Sequence, residues 1–529
     1  MNSTRKDIHR KIYIAGLALL GISLPVSLFA MSVSELLLAT NWAAEVIFDA
    51  IEKKYDKLLI IKQRKSLLLI FSIYLVHVIG LLYSQDFKYA FHDLRIKLPF
   101  LALPIIIGTA EPLTGKQIKT ILLLFIGTVI VNSFISTAIL LNLTKIEVND
   151  IRQISPFISH IRFALNIVMA IFTLIYFTFF DKSDFHVRWR IYYIPATIWL
   201  IVFLFLLQSF TGILIFIVII PFVILKWIID QKNIVIKTAT LICLITGILF
   251  AVYYINDCIK KFYTTEDIAP ENIDYYTVNG NKYYHDFNNK LLENGNYVYL
   301  YICEEELKRE WNKRSKIYKY DDTDIKGQYI RQTLIRYLTS KGLRKDSVGV
   351  SKLTDKDLKL ILDGYSNYIF KGKLGIYPRI YQIIWELDTY KKFGNPSGHS
   401  ITQRLEFQKN AIQIIKKNFW LGVGTGDVKQ AFNKQYNISN SPLAQKWRLK
   451  AHNQLITFFL TFGVFGFLWI MFALIYPVFY EKKHKSMLFV IFFMIALFSM
   501  LNEDTLETHA GISFFSYFYA LLLLGYKNE

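Results

Sequence analysis

Long apolar stretches separated by short polar ones fill the first half of the chain and return at its C-terminus. A bilayer core takes about 20 mainly apolar residues per helix. By that measure twelve runs are candidate spans: 11–30, 33–51, 66–83, 97–110, 117–142, 157–180, 190–207, 210–229, 234–256, 452–479, 486–502 and 510–526. Glu45 and Asp49 interrupt the second, and Pro99 and Pro104 shorten the fourth, so both are open to an interfacial or re-entrant reading. Between the ninth and tenth runs lies a long stretch of soluble character, residues 257–451. The pattern predicts an all-α polytopic membrane protein of about 12 transmembrane helices, with a large, mainly helical loop domain between spans nine and ten. Its regions are an N-terminal membrane region at 1–256, an external soluble domain at 257–451 and a C-terminal membrane region at 452–529.

The polar connections orient the spans. With the N-terminus inside, the segments 1–11, 52–65, 110–119, 181–190, 226–237, 481–485 and the tail from 527 carry 22 Lys and Arg. The short loops on the other side carry 5. That bias is the positive-inside rule with both termini cytoplasmic, and an odd number of spans would scramble it. The 257–451 stretch then lies outside. Its 33 Lys/Arg against 22 Asp/Glu do not contradict the topology, because long translocated domains escape the rule. The first run is full length and lacks a small-residue cleavage site, so it reads as a retained span rather than a signal peptide.

Within 257–451 the period changes along the chain. Residues 275–301 read as strands, with turns at Asn279-Gly280 and Asn294-Gly295 between aromatic and β-branched residues. From Glu304 the period is helical through Trp311. Further helices are predicted at 325–341, 354–371 (Thr354 as N-cap, with Asp357 three residues on), 376–392 and 400–418. The last of these runs to Gly422-Val423-Gly424-Thr425-Gly426.

Composition agrees with the pattern. Of 529 residues 53% are hydrophobic and 16% aromatic, the mean hydropathy is +0.32 and the net charge is +20. Disorder, collagen-like repeats and a disulfide scaffold are excluded. The excess positive charge sits in inside loops and in the external stretch, so no nucleic-acid partner is expected. Of the three cysteines Cys243 lies in a span, while Cys258 and Cys303 lie outside it and are free to pair or not.

Candidate chemistry gathers where the external stretch meets the tenth run, at Ala451-His452-Asn453-Gln454. Nine residues later comes Gly463-Val464-Phe465-Gly466, whose glycines would let another helix approach closely. A histidine at the mouth of a span can act as base, acid or phosphate donor, or simply snorkel at the interface. His-Asn, nine residues, then Gly-x-x-Gly resembles the signature of the O-antigen ligase family, which includes related polymerases and protein O-oligosaccharyltransferases. Three other blocks look like that family: Arg404-Leu405-Glu406-Phe407, Gly422 to Asp427 after Phe419-Trp420, and Ser159-His160-Ile161-Arg162-Phe163. The chain departs from it at Gln208-Ser209-Phe210-Thr211-Gly212, where Thr211 stands in a usual arginine place.

The resemblance implies inverting, metal-independent transfer of a glycan from an undecaprenyl-diphosphate carrier to an acceptor hydroxyl, of lipid A–core type, at the outer face of the bacterial inner membrane. Membrane lipids are the other partners, and no cofactor is expected. On this reading His452, Arg404 and Arg162 carry the chemistry, His452 as base or as phosphate stabiliser. Arginine suits a diphosphate leaving group because its fork donates paired hydrogen bonds. Asn453, His160, Gly424, Arg448, Glu503 and Asp504 would bind or orient substrate. A lipid-facing or solvated arginine is the alternative for Arg162 and Arg404, and a membrane-flanking arginine is the preferred reading for Arg448. The Gly422–Gly426 run reads better as a turn than as a nucleotide loop. Asp321-Asp322-Thr323-Asp324 is either a metal-binding pair or a solvated helix start, and Glu503, Asp504 and Glu507 are either site residues or solvated caps. A polymerase of the same family and a lipid-linked oligosaccharide transporter stay open. The transporter predicts mid-span charges and repeated halves, which the sequence lacks.

Overall fold

The computed structural model describes residues 2–146, 151–181, 190–265, 271, 273–324, 327–371 and 376–526. Predicted features at 182–189, 325–326 and 527–529 therefore lie outside the described residues. Each of the twelve apolar runs falls on a helix, and the described residues are mainly helical. Among the described residues six helices are long and apolar enough to cross a membrane: Lys65–Tyr83, Gly115–Leu140, His160–Phe179, Phe210–Asp230, Ile234–Tyr263 and Gln454–Tyr480. Arg190–Leu206, Met487–Asn502 and His509–Leu523 are apolar but shorter. The first two runs divide earlier than their composition suggests. One helix ends at Ser23, Pro25 sits in the turn, and Ser27 caps the next helix at Leu28 by accepting from the Ala30 N–H.

By internal contacts the chain forms two compact units, residues 1–241 with 403–529 and residues 242–402. Residues 403–451, which the sequence assigns to the external stretch, fall in the first unit. The most enclosed helices of that unit are His160–Phe179 and His509–Leu523. Both are apolar around most of their circumference, which suits them to the centre of a bundle. Gly212 lets the Phe210–Asp230 helix close on the first of these, since a Cβ there would meet Ala164 at 2.6 Å.

The Gln454–Tyr480 helix is not continuous. Gly463 sits at φ 64° and ψ −171°, and the turn it opens accepts the 419–424 segment. A Cβ on Gly463 would lie 2.2 Å from the Trp420 carbonyl oxygen. The expected helix–helix contact is corrected at Gly463, which admits a loop backbone, while Gly466 does face another helix, a Cβ there lying 3.6 Å from Val76.

The second unit buries Leu307, Trp311, Leu334, Leu338, Val350 and Ile361 between short helices, chiefly Glu304–Arg314, Ile330–Ser340 and Asp355–Leu362. Thr354 and Asp357 form the expected capping box. The helix it opens stops at Leu362 rather than near 371, because Gly364 adopts φ 75° and folds back. The two Asn-Gly turns form, but the strands around them shrink. Leu292–Glu293 pairs with Asn296–Tyr297, and elsewhere single bridges remain at Tyr276/Lys282 and Tyr284/Ile302. Tyr301 at φ 57° interrupts the strand just before Ile302, since a left-handed residue cannot continue a strand. Cys258 and Cys303 do not pair; Cys258 packs with Phe262 and Tyr381.

Glu306 pins the first turn. Its carboxylate accepts from the Thr277 hydroxyl (2.7 Å), the Asn281 amide (2.7 Å) and the Ser347 N–H (2.9 Å). Burial pushes its pKa up, but the donors of Asn281, Thr277 and Ser347 outweigh burial and hold it at about 2.

Two stability outcomes follow from these contacts. Gly463→Ala adds both left-handed strain and a backbone collision, so detergent-solubilised protein should lose at least about 2 kcal/mol in a denaturant titration. Glu306→Gln should make the 277–281 turn the earliest site of limited proteolysis. Because the folded carboxyl lies below its unfolded value, Glu306 contributes fully above about pH 4.3 and progressively less as pH falls towards 2. The proteolytic difference between parent and variant should narrow over that window.

Candidate functional site

Helix ends of the first unit bring the site together. The residue before the Gln454–Tyr480 helix is Asn453, whose side-chain oxygen caps it by accepting from the Ile456 N–H at 3.1 Å. The Asn453 amide donates to the Leu501 carbonyl at 2.9 Å, so both ends of its side chain are engaged by backbone. His452 precedes it at φ 48°, an uncommon position for a residue with a Cβ. Its N–H donates to Asp504 Oδ2 at 3.0 Å, which fixes the turn.

The His452 side chain meets a carboxylate and an aromatic ring. Nδ1 lies 3.2 Å from Glu503 Oε2, and the ring stacks on Phe407 with centroids 5.5 Å apart. Arg404, one turn before Phe407 on the Ser400–Lys417 helix, donates from Nη2 to Glu503 Oε1 at 2.5 Å. Glu503 therefore bridges Arg404 and His452, one oxygen to each. It is nearly fully buried. Burial pushes its pKa up, but His452 and Arg404, with Arg162 behind them, pull it below the usual carboxylate value.

Arg162 enters from the first turn of the central His160–Phe179 helix. Its Nη2 donates to the Asp504 carbonyl at 3.2 Å, while its buried Nη1 has no partner among the described residues. Asp504 accepts from Thr457 Oγ1 at 2.7 Å as well as from His452. Burial, joined by the negative charge of Glu507, raises its pKa.

Beneath this layer is a second set of charges. Glu507 is paired with Lys97 (3.1 Å) and Lys450 (3.5 Å), and accepts from the Gln454 amide (3.2 Å). Lys97 also pairs with Asp93 at 2.5 Å, and Lys450 donates to the Tyr89 hydroxyl. The Leu506 N–H donates back to Gln454 Oε1 at 2.8 Å. Burial alone would raise Glu507, yet Lys97 and Lys450 overcome it and lower its pKa. The 503–507 turn is thus held from both sides of His452–Asn453.

Of the residues predicted from sequence, His452, Asn453, Arg404, Arg162, Glu503 and Asp504 come together. His160 opens the helix that carries Arg162, with Ser159 as its N-cap. Two others lie elsewhere. Arg448 donates to Asn437 Oδ1 (2.6 Å) and to the Leu443 carbonyl (3.1 Å), tying down the 437–448 loop. Gly424, at φ 89°, packs on Gly80 and Ser84, where a Cβ would lie 2.7 Å from the Ser84 hydroxyl; this packing accounts for the glycine without a ligand. Asp321, Asp322 and Asp324 close turns or pair with Lys308 before the Ile330–Ser340 helix. Among the described residues no three His, Cys, Asp or Glu side chains gather as metal ligands would. Sequence reasoning named Phe407 and Gln454 only as members of their motif blocks, and it missed Thr457, Lys97, Lys450 and Asp93. The four-residue spacing of Asp93 and Lys97 beside an apolar run was the available signal.

Residues 368–471 match the family model described as O-antigen ligase. Over this stretch the chain is similar to the O-antigen ligase family. The match takes in Arg404, Phe407, the 418–426 segment, His452, Asn453 and the Gly463 break, so the resemblance expected from the His-Asn and Gly-x-x-Gly spacing stands. Arg162, Glu503 and Asp504, which meet His452 and Arg404 in the geometry above, lie outside the matched stretch. No curated protein matches the chain.

Glu503→Gln keeps the shape but removes the charge shared by Arg404 and His452. At pH 7 the variant should unfold more easily than the parent by about 1–3 kcal/mol. A depressed carboxyl stabilises above its unfolded value, near pH 4.3, and less as pH falls through the folded one. Thermal melts should therefore show an undiminished difference from pH 7 to about 4.5, fading only as the pH is taken further below about 4.

Proposed function

We propose that the chain transfers a glycan from a polyprenyl-diphosphate carrier, such as undecaprenyl diphosphate, to an acceptor hydroxyl of the lipid A–core type. The O-antigen ligase match supports glycan transfer, and membrane-helix content supports a multi-pass membrane protein. In this reading both termini are cytoplasmic and the site faces the outer side of the bacterial inner membrane. The observation that carries it is the Arg404–Glu503–His452 chain beside Arg162.

Glu503 at Nδ1 favours the imidazole tautomer whose Nδ1–H donates to the carboxylate. That leaves the Nε2 lone pair to take the acceptor hydroxyl proton. As the proton leaves, the acceptor oxygen forms a bond to the anomeric carbon, and the bond from that carbon to the carrier phosphate breaks. One displacement inverts the configuration. The departing diphosphate keeps the electron pair, and its oxygens accept hydrogen bonds from Arg162, whose Nη1 is otherwise unpartnered among the described residues. Arg404 holds Glu503 in place and offsets its charge. The reaction so written needs no metal, because arginine and histidine supply the positive charge.

Cells lacking the protein and complemented with His452→Ala should keep full-length polymer on the polyprenyl carrier while the variant still reaches the membrane. Loss of a general base costs on the order of 10²–10⁴ in rate. Normal glycan attachment in that strain would sink the assignment of His452. Short oligosaccharide units in place of full-length polymer would identify a polymerase, and transfer abolished by EDTA would identify a metal-dependent reaction.

A further inference from the structure

The segment after the Ser400–Lys417 helix reads from its sequence as a turn outside the membrane. Its residues 418–424, Asn-Phe-Trp-Leu-Gly-Val-Gly, carry no charge. In the structure they enter the opened turn of the Gln454–Tyr480 helix. The Val423 N–H donates to the Leu460 carbonyl (3.0 Å), the Gly424 N–H to Thr461 (2.9 Å), and the Val464 N–H to Phe419 (2.8 Å). Tyr83 Oη donates to the Leu421 carbonyl at 3.0 Å, and the Gly422 N–H returns to Asn418 at 2.9 Å. Backbone groups freed by the break and by the loop are thus bonded within the protein. Irregular backbone is tolerated in hydrocarbon under that condition.

The side chains point the other way. Trp420 is 63% exposed and Leu421 61%, and Trp420 stacks on Phe465 at 5.6 Å. Phe465, Leu468 and Phe472 continue this exposed stripe along one helix face, at the three- and four-residue spacing of neighbours on a helix. Gly463 lies ten residues beyond Asn453, which is about 15 Å along a helix axis. The helix has 27 residues, and a hydrocarbon core takes about 20. When it spans, the loop tip lies below the membrane surface, beside a face already turned to lipid.

We propose that residues 418–424 form a re-entrant loop whose Trp420–Leu421 tip contacts the acyl chains of the bilayer. The loop extends the helix that carries Arg404 and Phe407 and plugs into the helix whose N-terminus carries His452. Membrane insertion thereby fixes the two halves of the candidate site against each other.

The test uses full-length protein in phosphatidylcholine vesicles, with Cys243→Ser, Cys258→Ala and Cys303→Ala as background. A spin label at Leu421→Cys should collide with oxygen far more than with a water-soluble nickel chelate, matching Leu468→Cys and opposite to Ser351→Cys in the second unit. Nickel access at Leu421→Cys equal to that at Ser351→Cys would overturn the proposal, and so would equal access of both reagents. If the background fails to fold, native protein and Trp420→Phe are compared in brominated phosphatidylcholine. The substitution should remove a strongly quenched component of the tryptophan emission. Quenching that is the same in both proteins would also overturn the proposal.

Discussion

A buried carboxylate needs partners, and the turn from Glu503 to Glu507 carries three of them at the end of apolar helices. Each is satisfied from a different part of the chain. Glu503 draws in Arg404 and His452, Asp504 draws in Thr457 and the His452 backbone, and Glu507 draws in Lys97, Lys450 and Gln454. Leaving any one of these groups unpaired in an apolar surround would cost several kcal/mol. The turn is therefore a template: segments hundreds of residues apart in sequence are held where its charges require them. The site geometry is largely a by-product of that electrostatic demand.

The same demand explains why His452 tolerates an unfavourable backbone. At φ 48° it gives up a preferred conformation worth about 1 kcal/mol. In exchange its N–H reaches a buried carboxylate and its ring reaches a second one. Asn453 then starts the helix immediately, leaving no slack between the His452 side chain and the rigid element behind it. Phe407 closes the remaining face of the imidazole. The ring is held by a hydrogen bond on one edge and a stacked ring on one side, and 31% of the side chain stays exposed.

The sequence made the helices legible because their signal is composition summed over twenty residues, which survives errors of several positions. The Thr354–Asp357 box and the Asn294-Gly295 turn were legible for a related reason: each is settled within four residues. His452, Arg404, Arg162, Glu503 and Asp504 could be named from a motif and from charge next to apolar runs. Their mutual contacts could not, since they span up to 342 positions of chain. The 275–301 strands failed for the opposite reason, because local aromatic and β-branched content ignores what Glu306 and the left-handed Tyr301 impose. Phe407 stood in a motif block, but its stacking on His452 was not legible until the ring partner was known.

Gly463 shows most clearly what a local reading of sequence omits. Two glycines three residues apart in an apolar helix say that something approaches closely, and that much was correct. They do not say what. A packed helix needs only the absence of a Cβ, whereas an inserted loop also needs exposed donors and acceptors, and hence a residue that leaves the helical conformation. Gly463 at φ 64° meets that second need while Gly466 stays helical. The complementary glycine in the loop is Gly422, at φ 72°, where a Cβ would lie 2.3 Å from the Thr461 carbonyl oxygen. The two positions are explained together or not at all, because each removes the atom that would block the other's backbone. The spacing between Gly422 and Gly463 is thus a structural constraint in its own right. It joins the end of the helix bearing Arg404 to the helix headed by His452, so the separation of those two side chains is set at the glycines as well as at Glu503.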